Sequence, residues 1–196
     1  EPVAALLALK TGKPVKVVMA RHEEFQAGRP GAASVVHLKM GATKDGTIVA
    51  ADMKVIMDGG AFPGGPVGAA TTVGMGRYNV HNLHIQGYDV VTNKPPVGAY
   101  RAPGAPQTAF AVESHIDRLA ESLGIDPLEM RLKNVSQEGD ELPNGVPLPR
   151  VGFQETLEAI KGHPAWTSPL TGKHRGRGLA CGMWIGGRQP TSATLK

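Results

Sequence analysis

Cysteine is nearly absent: Cys181 is the single one in 196 residues. One thiol closes no disulfide within the chain and builds no Cys-rich zinc site. A reducing compartment fits that usage, and a cytoplasmic location is expected. The flanks of the thiol, LACGMW, are apolar, which points to a buried, inert group, because reactive thiols sit in exposed, electropositive surroundings. No apolar run is long enough for a membrane span. No block of basic residues exists: the formal charge of +4 comes from 21 Lys+Arg set among 17 Asp+Glu. A nucleic-acid surface needs a clustered stripe, so that class is excluded. The seven histidines have no HExxH-type spacing for zinc, and no P-loop, strand-to-helix G-x-G-x-x-G or G-x-S-x-G elbow occurs.

What the chain does have is apolar residues at 41%, together with 26 Gly and 16 Pro. That composition supports a real core with many turns, and it argues against disorder. The glycines and prolines follow no short period, which removes collagen-like and low-complexity readings. The chain opens on EPVAALLALK, like the middle of a helix, and ends on TSATLK. A fragment of a longer protein is therefore expected.

The pattern along the chain predicts elements in the following order. Residues 1–11 form a helix with Val3, Leu6 and Leu7 on one face, closed by Thr11-Gly12. The β-branched stretch 14–21 is expected as a strand, and the HEEFQAGRPGA that follows it as a loop. Residues 34–42 and 47–58 form an antiparallel hairpin around the Asp45-Gly46 turn. The stretch GGAFPGGPVGAATTVGMG (59–76) carries neither charge nor serine. It is either a flexible loop or backbone packed closely against protein or ligand. A further strand is expected over 81–93. Residues 107–124 form an amphipathic helix with Val112, Ile116, Leu119 and Leu123 inward and Glu113, Asp117 and Glu121 on a solvated face. Helices over 126–134, with Asp126 as N-cap and Pro127 at the first turn, and over 153–162 come next. The last expected element is a strand over 177–187, with Trp166 and Trp184 as packing residues. The fold class is α+β or mixed α/β, a sheet of mostly antiparallel strands covered by helices. A domain boundary is expected near residue 165, leaving 166–196 as a connection and the first strand of a following domain.

The segment GAYRAPGAPQ (98–107) places one guanidinium, Arg101, among prolines and small residues, just ahead of a helix. Prolines 95, 96, 103 and 106 fix φ, while Gly98 and Gly104 let backbone approach closely. A helix N-terminus favours negative charge. Arginine is always charged and makes forked bonds to carboxylate, phosphate or oxo groups. Gln107 adds an amide that donates and accepts. The segment therefore suits an anionic or strongly polar ligand; the other reading is an arginine spent on internal carbonyls.

The run AYRAPGAPQ, followed by AVESHIDRLAESLGIDPLEMRLKN, resembles the molybdenum-cofactor-binding large subunit of the xanthine dehydrogenase and aldehyde oxidase family. The earlier EPVAALLALKTGKPVKVVMARHEEF and MDGGAF keep that family's order. The resemblance implies an oxidoreductase that hydroxylates an aldehyde or N-heterocycle with oxygen from water. It implies molybdopterin, in a cytosine dinucleotide form, with molybdenum. It also implies FAD and 2Fe-2S centres on partner subunits or domains as electron acceptors. By resemblance, Ala99, Tyr100, Arg101 and Gln107 bind the cofactor. No catalytic residue is assigned, because the family's glutamate base and a glycine-rich pterin segment are expected outside this chain; Glu23, Glu24 and Glu113 are not given that role. Ala102 stands where copper-dependent members carry a cysteine, and Pro103 where purine hydroxylases carry a phenylalanine. Residues 64–74 contain no arginine. Copper chemistry and purine oxidation are therefore not expected. The rival reading is a non-catalytic interaction domain of the same architecture, whose loop binds a protein partner.

Overall fold

The computed structural model describes residues 1–186, 192 and 194. Helix α1 (Pro2–Thr11) ends at Gly12, whose φ of 63° and N–H bond to Ala8 O form a left-handed cap. None of its residues is buried, so Val3, Leu6 and Leu7 do not face the core. Residues 14–20 join no sheet, contrary to the strand expected there, and Val17 and Val18 are exposed. Their β-branched pattern has no neighbouring strand to pair with, and propensity without a partner makes no sheet. The expected loop after it is instead helix α2 (Arg21–Ala27). Its start is set by Glu23, which accepts from Ala20 N–H at 2.6 Å, the reach-back half of a capping box.

Strands β1 (Ser34–Ala42) and β2 (Ile48–Gly60) pair antiparallel about the Asp-Gly turn, with Leu38 opposite Met53. The glycine-rich stretch then yields helix α3 (Val67–Met75), and β3 (Asn82–Val91) returns parallel to β2, with Met53 opposite Ile85. The sheet is thus three-stranded in the order β1-β2-β3, one pairing antiparallel and one parallel. The parallel pairing follows from α3: a helical crossover carries the chain back to the starting end of the sheet, which a tight turn does not. Between the two readings of 59–76, close packing holds for the helix. A Cβ on Gly74 would lie 2.9 Å from Met53 Cε, and one on Gly87 would lie 2.4 Å from Val67 Cγ1.

Helix α4 (Ala105–Leu123) packs on α3 and β1 and is followed by α5 (Pro127–Asn134). Asp126 caps α5 by accepting from Leu128 and Glu129 N–H. Met53, Val55 and Met57 of β2 meet Val112, Ile116 and Ala120 of α4 in the main core. Each large apolar side chain among them contributes about 1.5–3 kcal/mol on burial. Asn134 fastens α5 to the hairpin, donating to Gly46 O and accepting from Ile48 N–H, each at 2.8 Å. Helices α6 (Phe153–Lys161) and α7 (Pro164–Thr167) complete seven helices among the described residues, a mixed α/β architecture. A second cluster joins Leu128, Val135 and Leu157 to Trp166, Leu179 and Cys181. It crosses residue 165. Trp166 packs there, whereas Trp184 is 45% exposed. Residues 177–186 form no strand ladder, which corrects the strand expected over 177–187; Gly187 lies outside the described residues. No described helix is long and apolar enough to cross a membrane.

Candidate cofactor-binding site

The segment 95–107 lies across the ends of three other pieces of chain. Val97 N–H donates to Gly59 O at 3.2 Å, and Gly98 N–H donates to Pro30 O at 3.0 Å. Close contacts do the rest. A Cβ on Gly98 would lie 2.6 Å from Arg29 Cβ, and the Tyr100 ring sits over Gly31 at a distance that leaves no room for a side chain. Gly104 is constrained twice over. Its φ is +88°, and a Cβ there would meet Pro66 O at 2.8 Å and Ala70 Cβ at 2.9 Å. Only glycine satisfies both the sign of φ and the approach of α3. Helix α4 begins at the next residue.

Arg101 and Ala102 both have positive φ, 20° and 56°, conformations that non-glycine residues rarely adopt and that cost about 1–3 kcal/mol. That strain turns the chain so that Arg101 and Tyr100 face outward, Tyr100 with 60% exposure. Among the described residues the Arg101 guanidinium makes no hydrogen bond or ion pair. The N–H groups of Ala99, Tyr100, Arg101 and Ala102 donate no hydrogen bond either. Gln107 is held from one side, its Nε2 donating to Ala32 O at 3.3 Å. Its Oε1 is buried with no hydrogen-bond partner. Gly31, Pro66, Gly98, Gly104 and Gln107 close around a crevice too tight to hold a water molecule. The structure therefore brings together all four expected residues: Ala99, Tyr100, Arg101 and Gln107 lie on one strained loop and its helix start. Arg101 is not spent on internal carbonyls.

The donor set suits a large polyanionic, hydrogen-bonding group. Four consecutive free amides and a guanidinium supply donors, and the stranded Gln107 Oε1 is an acceptor that a buried amide does not leave unused without cost. A molybdopterin, with its phosphate, oxo and pterin N–H groups, matches both halves of that set. Among the described residues, no three His, Cys, Asp or Glu side chains converge to hold a metal ion.

Behind the loop lies a cluster that overturns one expectation. Glu113 is not on a solvated face of α4; it is 4% exposed. Arg77 Nε donates to its Oε1 at 3.2 Å, Arg131 Nε to its Oε2 at 2.9 Å, and Cys181 N–H to Oε2 at 2.8 Å. The Tyr78 hydroxyl lies 3.0 Å from both oxygens. Arg77 and Arg131 are fully buried. Arg131 also donates to Asp117 Oδ1 at 2.7 Å. Burial, with Glu113 second, pushes the Tyr78 hydroxyl far above its ordinary pKa. Burial would lower that of Arg131, but Tyr78, Asp117 and Glu113 together hold it raised. A carboxylate engaged by this many donors has no lone pair left for a substrate proton, so it fixes structure and moves none. Glu23 and Glu24 are exposed on α2, occupied by Ala20 N–H and Arg21. Nothing local marks Glu113 as buried, since its partners lie 36, 35, 18 and 68 residues away.

Comparison with known proteins shows the family. Residues 1–135 match the family described as "Molybdopterin cofactor-binding domain". The chain is 38% identical over 194 residues to a probable xanthine dehydrogenase subunit of Bacillus subtilis, covering 95% of this chain and 26% of that protein. It is 39% identical over 161 residues to the "Nicotinate dehydrogenase large molybdopterin subunit" of Eubacterium barkeri, covering 80% of this chain and 38% of that one. Among solved structures, the aldehyde oxidoreductase from Desulfovibrio gigas superposes with a TM-score of 0.70 at 32% identity, covering 82% of this chain and 18% of that chain. The chain thus spans well under half the length of the relatives it matches. On a strained donor-rich loop, the fold behind it and these similarities together, the chain belongs to the molybdopterin cofactor-binding domain family of xanthine dehydrogenase and aldehyde oxidoreductase large subunits.

Proposed function

We propose that this chain supplies one wall of the cofactor site in a molybdenum hydroxylase that oxidises an aldehyde or an N-heterocycle. The observation that carries the reading is the Arg101 loop, with its free guanidinium, four unpartnered amides and the buried Gln107 Oε1 beside them. When bound, molybdopterin supplies a redox-active molybdenum centre that accepts two electrons from the substrate. Arg101 offers positive charge and forked donors to the oxygen-rich part of that group. The amides of Ala99, Tyr100, Arg101 and Ala102 orient it, and Gln107 Oε1 accepts from an N–H. The tethers at Gly98 and Gly104 hold these donors in place before the group arrives, which lowers the cost of binding.

The finer parts of the reading are a cytosine dinucleotide tail on the pterin, electron transfer to 2Fe-2S and FAD centres on partner subunits or domains, and a cytoplasmic setting. The first two rest on the family resemblance, and the cytoplasmic setting rests on the near-absence of cysteine. A division near residue 165 into a molybdopterin-binding part and a connection leading to a following domain rests on the shift in composition there. Ala102 and Pro103 keep copper and purine chemistry outside the proposal.

The test is Arg101→Ala in the large subunit that contains this chain. Its unfolding free energy should change by under about 0.5 kcal/mol, since Arg101 is exposed and makes no hydrogen bond or ion pair among the described residues. Molybdopterin content, measured by fluorescence of the released, oxidised pterin, and turnover should both fall by at least about tenfold. Full cofactor content with full turnover would refute the assignment.

A further inference from the structure

Residues 177–186 have the side-chain period of a β-strand but, among the described residues, no strand beside them. Leu179, Cys181 and Met183 are half-buried, while Ala180, Gly182 and Trp184 are exposed. Leu179 and Cys181 pack with Leu128, Val135 and Leu157, and Met183 Sδ lies against Gly76. The segment is pinned at two points. The Arg177 guanidinium donates to the carbonyls of Trp166 and Ser168, and Cys181 N–H donates to the buried Glu113 carboxylate at 2.8 Å. Among the described residues, that amide is the sole backbone group of 177–186 engaged in a hydrogen bond within the chain.

In an extended strand, N–H groups of successive residues point to opposite edges. The Cys181 N–H faces the core through Glu113, so the N–H groups of Ala180, Gly182 and Trp184 face the other edge. An extended segment held flat on a core, with one whole edge of donors and acceptors open among the described residues, is a template for strand addition. Charge does not guard it: no charged residue occurs between Gly178 and Gly186, whereas unpaired native edges are usually protected by charge or proline.

We propose that the outer edge of residues 178–186 is a strand-pairing site whose occupant is an extended strand of the same large subunit, from outside residues 1–196. The choice of occupant rests on the reading of the chain as part of such a subunit: the shared stretch accounts for only 26% of the Bacillus subtilis relative. Glu113 then links two regions. One carboxylate holds α4, which starts at the Arg101 loop, and also sets the register of the segment that receives the rest of the polypeptide.

The experiment is amide hydrogen exchange at single-residue resolution, on this 196-residue chain and on the full large subunit. In the chain alone, Cys181 should be protected, while Ala180, Gly182 and Trp184 exchange near the rate of an unstructured peptide. In the full subunit those three should slow by at least about a hundredfold. Gly182→Pro, which removes one outer donor where no atom lies within 4 Å of an added Cβ, should abolish protection of Ala180 and Trp184 but not of Cys181. Fast exchange of the three amides in the full subunit would overturn the proposal. So would protection of them in the isolated chain that grows with concentration, since a second copy would then be the occupant. If the proline variant does not accumulate, exchange in the unsubstituted subunit alone decides. Pterin measured on the same samples separates this proposal from the functional one. Bound molybdopterin without outer-edge protection removes only the strand-pairing site, and protection without molybdopterin removes only the cofactor role.

Discussion

Replacing Glu113 by glutamine keeps the side-chain volume and removes one charge, which makes it a sharp probe of the buried cluster. The carboxylate accepts from Arg77, Arg131, Tyr78 and Cys181 N–H. A carboxamide offers one acceptor oxygen and an NH2 in place of the other. Whichever way it turns, the NH2 meets donors: Arg77 Nε–H on one side, or Arg131 Nε–H and Cys181 N–H on the other. The two guanidinium groups, both fully buried, would be left with Asp117 as the nearest anion, paired with Arg131 and itself 46% exposed. Arg77 is the worse placed, because its Nη2 is already without a partner. Breaking a buried ion pair from one side costs about 3–5 kcal/mol, a large share of the roughly 5–15 kcal/mol that holds a domain folded. At about 2–4 °C per kcal/mol for a chain of this size, the midpoint should fall by about 6–20 °C. Urea unfolding followed by circular dichroism measures the loss. A double-mutant cycle with Arg77→Met should show a coupling of about 1–3 kcal/mol, because neutralising both partners strands less charge than neutralising one. A loss below about 1 kcal/mol for Glu113→Gln, with an unchanged denaturant slope, would refute the picture of a charge-satisfied core.

Three further outcomes are expected. Gly104→Ala should destabilise by more than about 1 kcal/mol, through positive φ and the clash with Pro66 O; an unfolding midpoint equal to that of the parent would contradict the close approach of α3 to the loop. Lys94, then Thr92 and the Gly60 N–H, hold the Asp58 carboxyl at about 2 against an ordinary 3.8. The folded state therefore takes up this proton less readily than the unfolded one, and the stabilisation is present above pH 3.8 and lost as pH falls through about 2. The stability gap between the parent and Asp58→Asn should accordingly be constant from about pH 7 to about pH 5 and then close; a gap that persists unchanged down to about pH 2 would sink that linkage. Burial first, and Glu113 next, raise the pKa of the Cys181 thiol. Alkylation at about pH 8 should be slower than for free cysteine and should quicken in Glu113→Gln; equal rates in the two proteins would count against the shared cluster.

Short-range signals in the amino-acid order determined what is local in the structure. Asp45-Gly46 marked the hairpin, Asp126-Pro127 the start of α5, and Val112, Ile116 and Leu119 the inward face of α4. The prolines and glycines around Arg101 marked a stiff loop, and the same residues carried the family resemblance. Each of these signals acts through its own backbone within a few residues. The parallel return of β3 was hidden because α3 is built of small residues and gives a weak helical pattern; its identity as a helix depends on Gly74 and Gly87 letting it settle against Met53 and the strand beside it. The place of Glu113 was hidden for a related reason. A carboxylate on a helix belongs in water unless enough positive charge comes to meet it, and Arg77, Arg131 and the Cys181 amide are delivered by other parts of the chain. Only folding, which brings those distant donors to one buried oxygen pair, could turn an apparently solvated residue into the centre of the structure.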